Sequence, residues 1–161
     1  MIRILVARYF PDHSKDVYVN IGVLAQDGAV LMGRFCSDKS DLKAIENIDL
    51  EAVPLNVGEV FENNIREPLT RLDYDTMTNV EISLGSEEFF SHLRSNGYMS
   101  HLRYSDIITF DVPKLSAQLV ESLYDIFVLN QYGNPYSGQQ WQQDVRSGWR
   151  SHDSHRYVKV V

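Results

Sequence analysis

Two polar side chains inside otherwise apolar runs are the first candidates for chemistry in this 161-residue chain. Arg8 falls near the end of the run Ile2–Tyr9, and Asn20 sits between Val19 and Ile21. An unpaired polar group in such a setting costs roughly 2–7 kcal/mol, so both need partners: each other, the nearby Asp12, or a ligand. Arg8, Tyr9, Asp12 and Asn20 therefore form a candidate polar cluster. As an active site it would suit a small enzyme acting on a nucleotide or nucleic acid. The competing reading is a structural hydrogen-bond network at a strand turn, of the kind that fixes register.

Other chemistry-bearing residues are weaker as sites. His152-Asp153-Ser154-His155 has two histidines three apart, a spacing that suits a divalent metal only on a helical turn with further ligands. The segment reads as solvated tail, so no metal and no cofactor is expected. His13, His92 and His101 are scattered. Asp12, Asp27, Asp38 and Asp41 would have to converge, with a lysine, for metal-assisted phosphodiester chemistry; Asp27 is better explained by a turn and Asp38 by a helix cap. There is no phosphate loop, serine elbow or supported Cys-His pair. The lone Cys36 reads as a small core residue. Tyr132, Tyr136, Trp141, Arg146, Trp149 and Arg150 form an aromatic and basic C-terminal set. They are either anchors for a partner, platforms for single-stranded nucleic acid, or aromatics packed on the chain's own domain.

The elements that would position these residues follow from pattern. Three strands are expected at Ile2–Tyr9, Val17–Ala25 and Ala29–Phe35. In the second, Val17, Val19, Ile21, Val23 and Ala25 would share one face, and Tyr18, Asn20, Gly22 and Leu24 the other. Asp27-Gly28 supplies the positive φ angles of a tight hairpin. Asp38 or Ser40 would cap a short helix ending near Asn47. A longer helix is expected over Val57–Leu72 with a kink or break near Glu67, because Pro68 inside it costs about 3 kcal/mol. Ser86-Glu87-Glu88 opens a helix that closes at Asn96-Gly97. Met99–Asp111 returns to strand with a bend at Tyr104-Ser105-Asp106. Asp111 would then cap a helix carrying Pro113 in its first turn and the stripe Leu115, Leu119, Leu123, Ile126 and Phe127 through to Asn130. Tyr157–Val161 would add an edge strand.

The expected architecture is therefore α+β: an antiparallel sheet opened by an N-terminal three-strand meander and packed against several helices. Residues 1–130 form the single domain, and 131–161 are a Gly/Pro/Gln- and aromatic-rich tail, either packed back on the domain or apart from it. Hydrophobic residues at 43% and charged residues at 23% fit an ordinary globular chain. No run of about 18 apolar residues would span a bilayer, the start is apolar too briefly for a signal peptide, and one cysteine cannot make an internal disulfide. These features point to the cytoplasm. Net charge is −7. Residues 131–161 carry four basic and two acidic side chains, so the first 130 carry −9. An acidic body argues against non-specific nucleic-acid binding.

The segments Arg8-Tyr9-Phe10-Pro11-Asp12 and Tyr18-Val19-Asn20-Ile21-Gly22-Val23-Leu24, with Gly28 and Arg34-Phe35, resemble the opening of a bacterial family known as domain of unknown function 3037. The likeness is clear over residues 2–36 and looser over 103–128. Lys15-Asp16-Val17-Tyr18 departs from it, since the family tends to carry an acidic residue just before Val-Asn. The resemblance implies no established activity. It does imply a neighbouring HipA-like kinase, and hence an accessory or antitoxin-like role.

The leading expectation is a non-enzymatic regulatory module, bacterial or phage-borne, that binds a protein, with a kinase as the named candidate partner. The nucleotide or nucleic-acid enzyme built on Arg8, Asp12 and Asn20 is the alternative. An acidic nucleic-acid mimic ranks third, because the acids are evenly spread.

Overall fold

The N-terminal apolar run pairs with the two that follow it. A computed structural model describes residues 1–12, 14–28, 30–42, 48–66, 70–83, 86–96, 101–112 and 114–135. In it β1 (Ile2–Tyr9), β2 (Val19–Asp27) and β3 (Val30–Phe35) form the expected antiparallel meander. Asp27 pairs with Val30, so the loop is residues 28 and 29, and Gly28 supplies the left-handed φ of +55°. Asp27 itself belongs to the strand, not the turn. Its carboxylate accepts the N–H of Leu115 at 3.3 Å, which ties the hairpin to the approach of the last helix.

Then come α1 (Val57–Arg66), β4 (Thr70–Asp73), β5 (Thr78–Glu81), α2 (Glu87–Asn96), β6 (Leu102–Tyr104), β7 (Ile108–Phe110) and α3 (Ala117–Tyr124). α3 runs on as a π-helical turn over Asp125–Leu129. The main sheet has the order β3-β2-β1-β6, with β7 also paired to β1. β6 and β7 thus lie end to end along one edge of β1, opposite Ala7–Tyr9 and Ile2–Ile4 respectively. The bend expected at Tyr104-Ser105-Asp106 is the break between them. Ser105 stitches it: its N–H bonds the Val6 carbonyl at 2.9 Å, its Oγ accepts the Val6 N–H at 2.9 Å, and the same hydroxyl donates to the Asp106 carbonyl at 2.8 Å. A serine hydroxyl here does what a strand carbonyl does elsewhere.

A β-bulge changes which side chains share a face. Ala7 pairs with Gly22 but Arg8 with Asn20, leaving Ile21 as the extra residue. Because cross-strand partners share a face, the bulge puts Asn20 with Arg8 and opposite to Gly22 and Leu24. The simple alternation expected for the second strand is therefore corrected at Ile21. Helices cover both faces, which is why β2 is buried at every position but its last. On one face Phe35 lies against Gly22 and Gly33, where a Cβ would come within 2.4 and 3.2 Å of its ring, and stacks on Phe61 of α1. Phe61 also meets Tyr104 edge-on. On the other face Arg34 pairs with Glu121 at 3.0 Å and lies over the Tyr124 ring of α3. Phe110 meets Phe127 there.

Three helix expectations are revised. α1 ends at Arg66, in keeping with the break expected near Glu67, but the chain re-enters as strand at Thr70, so Leu72 lies in β4 rather than in a continuing helix. The hairpin β4–β5 is an element the pattern did not announce. Asp111 does not cap α3; Ser116 does, its Oγ accepting the Leu119 N–H at 3.1 Å. A residue before proline is biased to extended backbone, which delays the helix past Val112-Pro113. Asp38 does cap, but a single 3₁₀ turn, Lys39–Asp41, and Asp49 caps a second, Leu50–Ala52. Residues 43–47, Gly97 and the strand expected at Tyr157–Val161 lie outside the described residues.

Candidate functional site

Of the candidate polar cluster, only Arg8 and Asn20 come together, as register partners on one face. Tyr9 points to the opposite face and stacks on His101 at 5.9 Å. Asp12 lies in an exposed turn, where Oδ1 accepts the Ser14 N–H at 3.0 Å and hydroxyl at 2.6 Å, and Oδ2 stands 3.9 Å from Lys15. Arg8 lies over the Tyr18 ring with its guanidinium carbon 4.4 Å from the centroid, and its register partner Arg103 lies 4.0 Å over Phe10. Phe10 and Tyr18 are themselves in contact, with centroids 5.2 Å apart. Burial of the Arg8 guanidinium pulls its pKa below the ordinary arginine value.

Asn20 belongs to a different construction. β3 stops at Phe35, opposite Gly22, and the Cys36 N–H closes onto the Ile21 carbonyl at 2.8 Å. The backbone at Asn20 and Tyr18 runs on past the end of β3. Gln131 takes the missing strand's place with its side-chain amide: Oε1 accepts the Asn20 N–H and Nε2 donates to the Asn20 carbonyl, both at 2.8 Å. Nε2 also donates to the Val128 carbonyl at 2.8 Å. Asn134 Nδ2 donates to the Tyr18 carbonyl at 2.9 Å and to Gln131 Oε1 at 3.1 Å. Asn20 Nδ2 returns a bond to the Phe127 carbonyl at 2.9 Å. The last carbonyls of a helix lack intrahelical partners, and here two of those in the π turn are satisfied by side-chain amides. Asn20, Gln131 and Asn134 are all fully buried, and Gln131 holds a left-handed φ of +52° to reach its place.

This seam is what the sequence reasoning missed. A buried Asn20 was seen to need partners, yet nothing local nominates a glutamine 111 residues away. The seam also moves the start of any tail, since residues 131–135 are part of the fold. Tyr132 is half-buried and meets Phe127 edge-on at 6.0 Å. Tyr136, Trp141, Arg146, Trp149, Arg150 and the pair His152 and His155 lie outside the described residues.

The carboxylates do not converge. Asp12 and Asp38 are engaged in their own turns and Asp27 by the Leu115 N–H, and among the described residues no group of three His, Cys, Asp or Glu could hold a metal. Cys36 is buried beside the Tyr124 hydroxyl and donates to the Asp38 carbonyl at 3.1 Å. Burial pushes the thiol pKa up, so it is a poor nucleophile. Among the described residues no helix is long and apolar enough to cross a membrane.

Two surfaces remain. Along β3, an open cleft of about 360 Å³ lined by Leu31, Gly33, Phe35, Glu62 and Ile65 adjoins one of about 380 Å³ lined by Cys36, Ser37, Leu55, Glu59 and Glu62. The hairpin β4–β5 presents Leu72, Tyr74 and Met77 to solvent. No family model, no curated protein and no solved structure matches the chain.

Proposed function

We propose that the chain is a cytoplasmic, non-enzymatic module that works by binding a protein. The observation carrying this reading is the β4–β5 hairpin, whose Tyr74 is 80% exposed and Met77 69% exposed. A two-stranded hairpin is at best marginally stable alone, and aromatic and methionine side chains held out in water are the usual anchors of protein interfaces. The acidic body favours a partner with a basic surface. The resemblance of residues 2–36 to domain of unknown function 3037 supports a HipA-like kinase as the first partner to test, and the aromatic and basic residues after Pro135 are a second set of anchors.

The test is a tagged full-length bait recovered from its native host at low expression, beside a Tyr74→Ser/Met77→Ser variant. One stoichiometric partner, lost from the double variant while its melting temperature stays unchanged, is the expected result. A partner retained by the variant would overturn the hairpin as the binding element, and a bait that recovers no partner would overturn the module reading itself. Truncation to probe the tail must begin at residue 136. Removing residues 131–161 would take out the buried Gln131 and Asn134 and unfold the sheet end rather than test an interface.

A further inference from the structure

We infer that β3 and α1 together form a groove that takes an extended basic-apolar peptide as an added strand. The inference rests on the protein-binding reading above but uses a different surface. The bond from Cys36 N–H to the Ile21 carbonyl sets the phase of the ladder. Val30, Met32 and Arg34 exchange bonds with β2, and the backbone groups of Leu31, Gly33 and Phe35 point away from the sheet. The Phe35 carbonyl is taken by the Arg34 guanidinium at 2.9 Å. Those of Leu31 and Gly33 have no hydrogen-bond partner among the described residues.

Edge strands are ordinarily guarded by lysine, proline, a bulge or an inward charge. Val30-Leu31-Met32-Gly33 has none of these, and the one charged residue of β3, Arg34, is drawn away onto Glu121 and Tyr124. Gly33 leaves the groove floor clear of a side chain, with Phe35 lying beneath.

The two clefts adjoin at Glu62, on the sheet face that α1 covers and beside the β3 edge, and the first is floored by Leu24 of β2; together they are the trough. β3 has six residues, a length of about 20 Å at 3.3–3.4 Å per residue. One half of the trough is apolar, with Leu31, Phe35 and Ile65; the other is acidic, with Glu59 and Glu62, and ends at Leu55, which is 78% exposed. Backbone pairing supplies affinity in strand addition, and pockets for alternate side chains supply specificity. The complementary ligand is an extended segment antiparallel to β3, with aliphatic side chains toward Ile65 and lysine or arginine toward Glu59 and Glu62. A second copy of the chain would bring the same acidic rim and be repelled.

The experiment uses the full-length, isotope-labelled chain and a capped valine–lysine peptide of about eight residues, with lysine at alternate positions of its first half, valine at alternate positions of its second and threonine between, so that one face meets the trough; a peptide with glutamate for lysine is the control. Expected are amide shifts and slowed exchange at Leu31 and Gly33 with the basic peptide only. A Glu59→Lys/Glu62→Lys variant of unchanged melting temperature should bind the basic peptide at least tenfold more weakly and gain binding to the acidic one. Shifts away from β3, or affinity indifferent to the charge reversal, would overturn the groove. So would a concentration-dependent dimer protecting Leu31 and Gly33 without peptide. Peptide binding retained in the Tyr74→Ser/Met77→Ser variant separates this groove from the hairpin, so either can fail alone.

Discussion

Along one side of the sheet, β2 is finished in two different ways. From Gly22 to Asp27 it is covered by β3, whose own outer edge is left apolar and open at Leu31 and Gly33. At Tyr18 and Asn20, only a few residues away, the backbone is closed by the side-chain amides of Gln131 and Asn134, wholly out of water. An amide laid against a strand satisfies its N–H and C=O as a neighbouring strand would, but it offers no further edge to another chain. The difference teaches where this protein can afford exposure: it spends buried polar side chains to end pairing at one place and leaves pairing available at the next.

The comparison breaks first at Gln131. Replacing Gln131 by leucine keeps the volume but orphans the N–H and C=O of Asn20, and each buried orphan costs roughly 1–3 kcal/mol. A loss of about 3–4 kcal/mol in urea unfolding is expected; under about 1 kcal/mol would mean that the seam is ornamental. Ser105→Ala tests whether the opposite edge is closed by the same logic. It removes one hydroxyl from the Val6 N–H, and a loss of about 2 kcal/mol is expected by the same measure.

Titration sharpens the contrast further, because the amide seam carries no titratable group. Burial raises the pKa of Cys36, Tyr104 and Tyr124 in the folded chain. A group with a raised folded value stabilises fully below its unfolded value and loses that contribution as pH climbs toward the folded one. Stability should therefore be flat from neutrality to about pH 8.5 and fall above it, first through the thiol and then through the phenols near pH 10. The expected loss is of order 1 kcal/mol per group for each pH unit passed. Gln131→Leu should lower the whole curve without moving its shoulder, as denaturation followed from pH 7 to 11 would check. The smallest effect belongs to the open edge. Val30→Lys, at a half-exposed position, should change stability by less than about 0.5 kcal/mol while guarding the edge against an added strand, read as weakened binding of the valine–lysine peptide.

Much of the sheet was legible because its signals are local. Gly28 between two apolar runs marks the hairpin, and the run Ile2–Tyr9 needed no context. Ser105 was legible as a bend, though not as the donor and acceptor that rejoins two strands. The β4–β5 hairpin was hidden because Thr70-Arg71-Leu72-Asp73 and Thr78-Asn79-Val80-Glu81 carry no apolar alternation; none of Leu72, Asp73 and Thr78–Glu81 is buried, so there is no inward face to write one. The bulge at Ile21 was equally silent, since it depends on pairing with Ala7 and Arg8, and it is what separates Asn20 from Gly22. For the candidate site, the need for a partner at Asn20 could be read from polarity. The identity of that partner could not, because Gln131 is brought to it by the packing of α3 and its π turn across the sheet.

The Gln131 seam also sets an order of events during synthesis. Residues 18–27 leave the ribosome long before residue 131, and β1, β2 and β3 can pair as a hairpin meander as soon as they emerge. Their polar end stays open until nearly the whole described chain has been made, since the bonds that close it span 111 residues. A nascent chain stalled before Gln131 would thus hold a formed sheet with an unfinished end, and ribosome-bound intermediates held by an added C-terminal stalling extension should resist protease at Tyr18–Asn20 only once Asn134 has cleared the ribosome.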